Sequence, residues 1–375
     1  MFSEAKTNQP VTASLKRGRV LVPLEERPAR VCHDLMARYG SILHEPRLSW
    51  IEHHRMVRRL GSGGQGVVYL CERTGADQFT LPVALKIFSP EGYDDAPSYD
   101  AAMSRMAQVA LRIALIQQDN LIDVHNVIEL NRVRLLEMEC VDGYDLQRLL
   151  TPAMLERARD QVSPDRWEYL NDVIVTSGTS QPRLKPGVAI AVLRDALSAL
   201  SSLHRHGILH GDIKPSNIML KRTGNAKLID IGSAYEWQHG GRPRTCTPTY
   251  AAPEVLEGDA GTPRSDLASL GYVLLEMLAG EPPFAGITGE FELIEAKKTV
   301  LDRLPTMLPE EIVCNELLMN LIESLISPNP ANRFPSAEAA DLVEEGAASF
   351  HRQLIHGNLA SEYDNEIRVW LQELD

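Results

Sequence analysis

Asp212, Lys214 and Asn217 stand at offsets of zero, two and five within His210-Gly211-Asp212-Ile213-Lys214-Pro215-Ser216-Asn217. A further acid, Asp230, follows eighteen positions after Asp212 in Ile229-Asp230-Ile231-Gly232. A carboxylate, an ammonium, an amide and a second carboxylate are the groups that phosphoryl transfer from a metal-bound nucleoside triphosphate requires. One carboxylate orients the attacking hydroxyl, the lysine steadies the phosphoryl group in flight, and the amide and the second acid hold magnesium. An eight-residue match alone invites caution. The second acid, at a distance that leaves room for a short hairpin, makes coincidence remote.

Upstream, Gly61-Ser62-Gly63-Gly64-Gln65-Gly66-Val67-Val68 fits G-x-G-x-x-G-x-V, in which glycines lacking Cβ let backbone amides approach a triphosphate. Most isolated matches of this kind are only turns. Here strand-like runs flank the glycines on both sides, and Lys86 lies in the next run, Val83-Ala84-Leu85-Lys86-Ile87-Phe88. A helix would follow in a dinucleotide-binding fold, so that alternative loses. A lone lysine on a strand is usually a solvated charge; the position of Lys86 after the glycine-rich loop gives it meaning.

Together these segments resemble the protein kinase family, whose patterns are G-x-G-x-x-G-x-V, a strand lysine, H-R-D-x-K-x-x-N and D-F-G. The resemblance covers roughly residues 52–346 and implies an α+β, bilobal protein kinase fold binding ATP and Mg2+ between the lobes. It implies that Gly61, Gly63, Gly66 and Val68 cover the nucleotide and that Lys86 reaches its α- and β-phosphates. Met138-Glu139-Cys140-Val141-Asp142-Gly143 falls at the hinge. There the backbone of Glu139 and Val141 would bind the adenine edge, Asp145 the ribose, and Met138 would sit behind the base. Asp212 and Lys214 would be catalytic; Asn217 and Asp230 would hold the metal. Lys214 at its offset resembles the serine/threonine class. Thr247-Pro248-Thr249-Tyr250-Ala251-Ala252-Pro253-Glu254 resembles the T-x-x-Y-x-A-P-E ending of an activation segment, which implies a protein acceptor. Thr247 would bond near Asp212 and Lys214, Glu254 would pair with Arg333, and Asp266 would brace the catalytic loop.

Two substitutions and one gap mark this chain. Gly211 stands for Arg and Ile231 for Phe, giving a non-RD loop. Without the arginine, phosphate on Thr245 or Thr247 lacks its bidentate partner, so loop phosphorylation is not expected to be the main on-switch. No glutamate occurs between Glu91 and Glu129, where the family carries a helix glutamate for the strand lysine. That slot falls on Val109, or on Gln108 with a one-residue shift; Asp100 lies two turns too early, and Gln108 could hydrogen-bond Lys86 but not neutralise it. An opposite charge there is worth about 4 kcal/mol at an effective dielectric near 20, before desolvation, so slower catalysis is expected. The leading expectation is transfer of the γ-phosphoryl group of ATP to serine or threonine of a protein, including the chain itself. The alternative is a pseudokinase, a nucleotide-binding regulatory module. A small-molecule phosphotransferase is disfavoured by Thr247–Glu254.

The elements that must position these residues follow from periodicity. Residues 67–71, 83–88, 121–130 and 132–139 read as strands, and 98–118 as the single helix of a β-rich N-lobe over 51–141. Residues 145–159, 188–206, 265–280, 312–326 and 336–347 read as helices of a C-lobe over 142–346, with a turn-rich insertion at about 160–185. Residues 1–50 form an extension with a basic cluster, Lys16-Arg17-Gly18-Arg19, and a short helix near 31–36 that packs on the body. Residues 347–375 form a tail whose Ile367, Val369, Trp370 and Leu371 pack back. The 375 residues, 44% of them hydrophobic, can bury a sizeable core, and a net charge of −13 argues against nucleic acid as partner. No apolar run approaches a membrane span, and five scattered cysteines with no CxxC pair indicate a reducing, cytoplasmic setting.

Overall fold

Alternation along one strand decides which side of the first sheet carries chemistry. In Thr80–Phe88, Val83, Leu85 and Ile87 pack on one face, while Ala84, Lys86 and Phe88 point to the other. A computed structural model describes residues 13–14, 33–45, 54–238, 245–343, 346–355 and 363–374. The basic cluster at 16–19 lies outside them.

The chain runs through β1 (Ala13–Ser14), α1 (His33–His44), β2 (His54–Gly63), β3 (Gly66–Thr74), β4 (Thr80–Phe88), α2 (Ala96–Ile113), β5 (Val124–Leu130) and β6 (Val133–Glu139). Strands β2 to β6 form one antiparallel sheet in the order β2-β3-β4-β6-β5. Helix α2 packs its buried Met103, Met106, Val109 and Ala110 in the cluster that holds Ala84, Leu136 and Met138. Tyr39 and Ile42 of α1 cover the opposite face, against Val83, Leu85, Ile87 and Leu135. The short helix expected near 31–36 is therefore part of a longer one that covers the sheet.

Asp95 caps α2 in a reciprocal pairing with Ser98. The helix ends five residues before the predicted 118, because Leu115 and Ile116 donate to Arg112 and Ile113 three residues back and tighten the chain into a turn.

The second half begins with β7 (Gly143–Asp145), α3 (Leu146–Leu149), α4 (Pro152–Gln161), α5 (Pro164–Val173), β8 (Val175–Ser177), β9 (Pro182–Leu184), α6 (Pro186–Arg205), β10 (Ile208–Leu209), β11 (Ile218–Lys221), β12 (Ala226–Leu228), β13 (Tyr235–Glu236) and β14 (Thr245–Cys246). It closes with α7 (Pro253–Leu256), α8 (Pro263–Ala279), α9 (Glu290–Lys298), α10 (Val300–Met307), α11 (Glu310–Val313), α12 (Glu316–Ile326), α13 (Ala337–Leu342), α14 (Ala347–Ile355) and α15 (Tyr363–Glu373).

The predicted helix 145–159 is two helices, since Thr151 caps a new start at Pro152. The supposed turn-rich insertion is ordered structure, a helix capped by Ser163 and the hairpin β8–β9. It serves as a seat for the C-terminal helix: Arg166 donates to Glu373 at 2.8 Å and Glu366 at 3.4 Å. Ile367, Trp370 and Leu371 of α15 are buried.

Helix α6, at 20 residues, is long and apolar enough to cross a membrane by length and composition, a run the hydropathy reading passed over. Most of it is buried in the core, beside α8.

Candidate active site

The catalytic-loop motif sits between β10 and β11, and Asp266 of α8 fixes its backbone. The carboxylate of Asp266 accepts from the His210 N–H at 2.9 Å, the Gly211 N–H at 3.0 Å and His204 Nε2 at 2.9 Å. Burial would raise its pKa, but the bonds and charge of His204 and the neighbouring His210 hold it below the usual carboxylate value. Gly211 adopts φ +76°, in the left-handed region. A Cβ there would lie 3.0 Å from both the Ser233 carbonyl oxygen and the Tyr235 ring. Glycine at this position is thus a backbone requirement as well as a missing side chain.

Asp212 is buried and held from several sides. Its Oδ1 accepts from the Thr247 hydroxyl at 2.7 Å and the Thr247 N–H at 3.0 Å, and its Oδ2 from Lys214 Nζ at 2.7 Å. Lys214 Nζ also donates to Thr247 Oγ1 at 3.1 Å. Asn217 Nδ2 donates to the Asp212 carbonyl at 2.8 Å, which leaves the amide oxygen as the group that could meet a cation.

Strands β11 and β12 pair antiparallel, and the Ile229 N–H donates to the Asn217 carbonyl at 2.9 Å. Asn217 and Asp230 therefore share one end of this hairpin. Two hard oxygen donors of this kind would fit a magnesium ion. Among the described residues no group of three His, Cys, Asp or Glu forms a competing metal site.

From β4, Lys86 Nζ donates to Asp230 Oδ1 at 2.5 Å and to Gln65 Oε1 at 2.7 Å. Asp230 adopts φ +61° and also accepts from the Gly232 N–H at 3.0 Å. Burial would raise its carboxyl, but the Lys86 ammonium and these bonds outweigh that and hold the pKa at about 2.

Gly61, Gly63, Gly66 and Val68 form the β2–β3 hairpin, with Gly61 opposite Val68 and Gly63 opposite Gly66. A side chain on Gly66, at φ +142°, would collide with the Ile87 carbonyl. Cβ atoms on Gly61 or Gly63 would meet nothing within 4 Å. At the exit of β6, Met138 is buried and Val141 packs against the core. The Glu139 N–H donates to the Asp123 carbonyl at 3.0 Å, and its side chain binds Lys227. Asp145 caps α3, its Oδ1 accepting from the Arg148 N–H at 2.9 Å, and burial raises its pKa despite that bond.

None of the candidates for the helix-glutamate slot pairs with Lys86. Gln108 is exposed, Val109 is buried in the core, and Asp100 pairs with Arg132 at 2.6 Å. The actual partner, Gln65, sits at a loop position whose residue type carried no signal. A second residue escaped the sequence reading: Lys297 of α9 is fully buried, donates to the Thr249 carbonyl at 2.7 Å and lies over the rings of Tyr272 and Phe284. The pairing foreseen between Glu254 and Arg333 is present, at 2.7 and 2.8 Å.

Residues 54–343 match the family described as protein kinase domain. The serine/threonine-protein kinase PknD of Mycobacterium tuberculosis is 32% identical over 291 residues, 76% of this chain and 38% of the relative. PknB of the same species is 37% identical over 183 residues, 46% of this chain and 28% of the relative. The probable serine/threonine-protein kinase PknB of Lactococcus lactis is 25% identical over 293 residues, 76% of this chain and 40% of the relative. The chain thus spans well under half the length of these curated relatives.

Proposed function

The chain belongs to the protein kinase family, and from that premise we propose that it is a serine/threonine protein kinase transferring the γ-phosphoryl group of ATP to protein hydroxyls. The observation that carries the proposal is the joint hold of Thr247 and Lys214 on Asp212. An activation-segment hydroxyl at 2.7 Å and a loop ammonium at 2.7 Å fix the carboxylate that would orient an acceptor hydroxyl. Lys214, bonded to that acid, would stabilise the transferring group. Lys86 and the β2–β3 hairpin would position the triphosphate, the Glu139 and Val141 backbone the adenine, and Asp145 the ribose. Asn217 and Asp230 would hold magnesium, which when bound neutralises charge on the phosphates.

The relatives' names supply the acceptor class, serine or threonine. The four described cysteines, Cys71, Cys140, Cys246 and Cys314, are unpaired, which suits a cytoplasmic site of action. A pseudokinase is less well supported, because Lys86, Asp212, Lys214, Asn217 and Asp230 are all present, Lys86 bonded to Asp230, and Lys214 and Asn217 bonded to Asp212. The test is incorporation of labelled phosphate from ATP and magnesium into a generic acceptor protein, with Asp230→Ala alongside. Incorporation lost in the variant supports the enzyme. Nucleotide binding without incorporation by the unmodified chain overturns it.

A further inference from the structure

Lys86 receives no carboxylate from α2, and its ammonium is shared between Asp230 Oδ1 and Gln65 Oε1. Asp230 is the acid assigned above to the metal, so a cation there competes with Lys86 for the same carboxylate. Gln65 is then the side chain left to hold the ammonium. We propose that Gln65 is the positioning residue for Lys86, supplying from the glycine-rich loop the acceptor that α2 lacks.

The geometry makes this a fixed contact. The Gln65 carbonyl accepts from the Ser89 N–H at 2.9 Å, and the next residue, Gly66, pairs with Phe88, so the backbone of Gln65 is tied to the end of β4. The side-chain amide is bound at both ends. Its Nε2 donates to Ser233 Oγ at 2.6 Å and Thr245 Oγ1 at 3.0 Å while Oε1 accepts from Lys86. Reversing the amide would set an NH2 group against an ammonium, so the bonding network admits one orientation. Gly232 lets the amide and lysine converge, since a Cβ there would lie 2.5 Å from Lys86 Nζ and against Gln65 Oε1. Lys86 is thereby linked through one amide to two hydroxyls upstream of Thr247, those of Ser233 and Thr245. A neutral amide orients the ammonium without cancelling its charge, which stays available to phosphate.

This inference rests on the kinase reading. Its test measures binding of Mg-ATP, and the KM for ATP and for the acceptor protein, in the full chain and in Gln65→Leu, which keeps the volume and removes both polar ends. The expected result is a Kd and an ATP KM raised about tenfold, equivalent to about 1.4 kcal/mol, with the acceptor KM and thermal midpoint unchanged. In a Lys86→Met background, Gln65→Leu should add less than about twofold, because the two residues act as one unit. Unchanged or tighter nucleotide binding in Gln65→Leu overturns the inference, as does a full tenfold loss that persists without Lys86. Failure of the unmodified chain to bind nucleotide overturns the kinase reading together with it, whereas normal transfer by both proteins overturns this inference alone.

Discussion

Arg333 grips Glu254 with both prongs of its guanidinium, Nη1 to Oε1 at 2.7 Å and Nη2 to Oε2 at 2.8 Å, in a site where the arginine side chain is fully buried. The same guanidinium donates to the Ser327, Arg264 and Pro328 carbonyls, so it joins the end of the activation segment to the start of α8 and to the turn after α12. Removing one partner strands a buried charge. Arg333→Met should lower stability by about 3–5 kcal/mol in urea unfolding. Glu254→Gln combined with Arg333→Met should cost less than the sum of the two single changes.

Thr247 fixes the position of Asp212 through both its hydroxyl and its N–H. Thr247→Val keeps the shape and the backbone bond but removes the hydroxyl bond to Asp212. Turnover should fall by about a hundredfold, the usual scale for a small misplacement of a reacting group. Thr247→Ser should keep most of the activity. Steady-state phosphate transfer distinguishes them.

Gly211→Arg tests whether the missing arginine can simply be restored. A non-glycine residue at φ +76° is strained by about 1–2 kcal/mol, and its Cβ would press on the Tyr235 ring and the Ser233 carbonyl. The variant should unfold at lower denaturant and should gain no phosphate dependence. Phosphatase treatment of the unmodified chain should leave its activity intact; activity abolished by phosphatase and restored by phosphorylation would refute this.

Asp195 of α6 accepts from the Ala226 N–H at 2.6 Å. Burial, with Asp364 nearby, pushes its pKa up to about 6. A carboxyl raised on folding binds its proton more tightly in the native state. Stability is therefore favoured below the unfolded value of 3.8 and lost as pH rises through about 6. Asp195→Asn should raise the melting temperature at pH 7.5, by the equivalent of about 1–2 kcal/mol, and change little at pH 4.

Lys297 anchors the Thr249 carbonyl from below the activation segment while burial drives its pKa well below the usual lysine value. Lys297→Met should leave nucleotide affinity unchanged and raise the KM for the acceptor protein. The stability cost should be small, because the methionine no longer carries a charge that must be desolvated.

The catalytic-loop residues were legible in the sequence because their relations are local. Offsets of two and five within one loop place Lys214 and Asn217 around Asp212 whatever the rest of the chain does. Gly66 was legible for a similar reason, since a hairpin tip this tight tolerates no side chain against Ile87. The insertion was misread because Pro and Ser mark both turns and helix starts. The Arg166 N–H donating to Ser163 Oγ, like the Met154 N–H donating to Thr151 Oγ1 just upstream, separates the two.

The sequence by itself determined the family, the order of β-rich and helical parts, and the residue types around the phosphate-transfer centre. Short-range spacing and alternation encode all of these. The tertiary structure alone decided that Gln65, 21 positions before Lys86, and not Gln108, 22 positions after it, holds the strand lysine. The two glutamines are nearly equidistant in sequence and carry the same amide. A helix face turned outward and a loop tied to Ser89 separate them, and both follow from packing between distant segments.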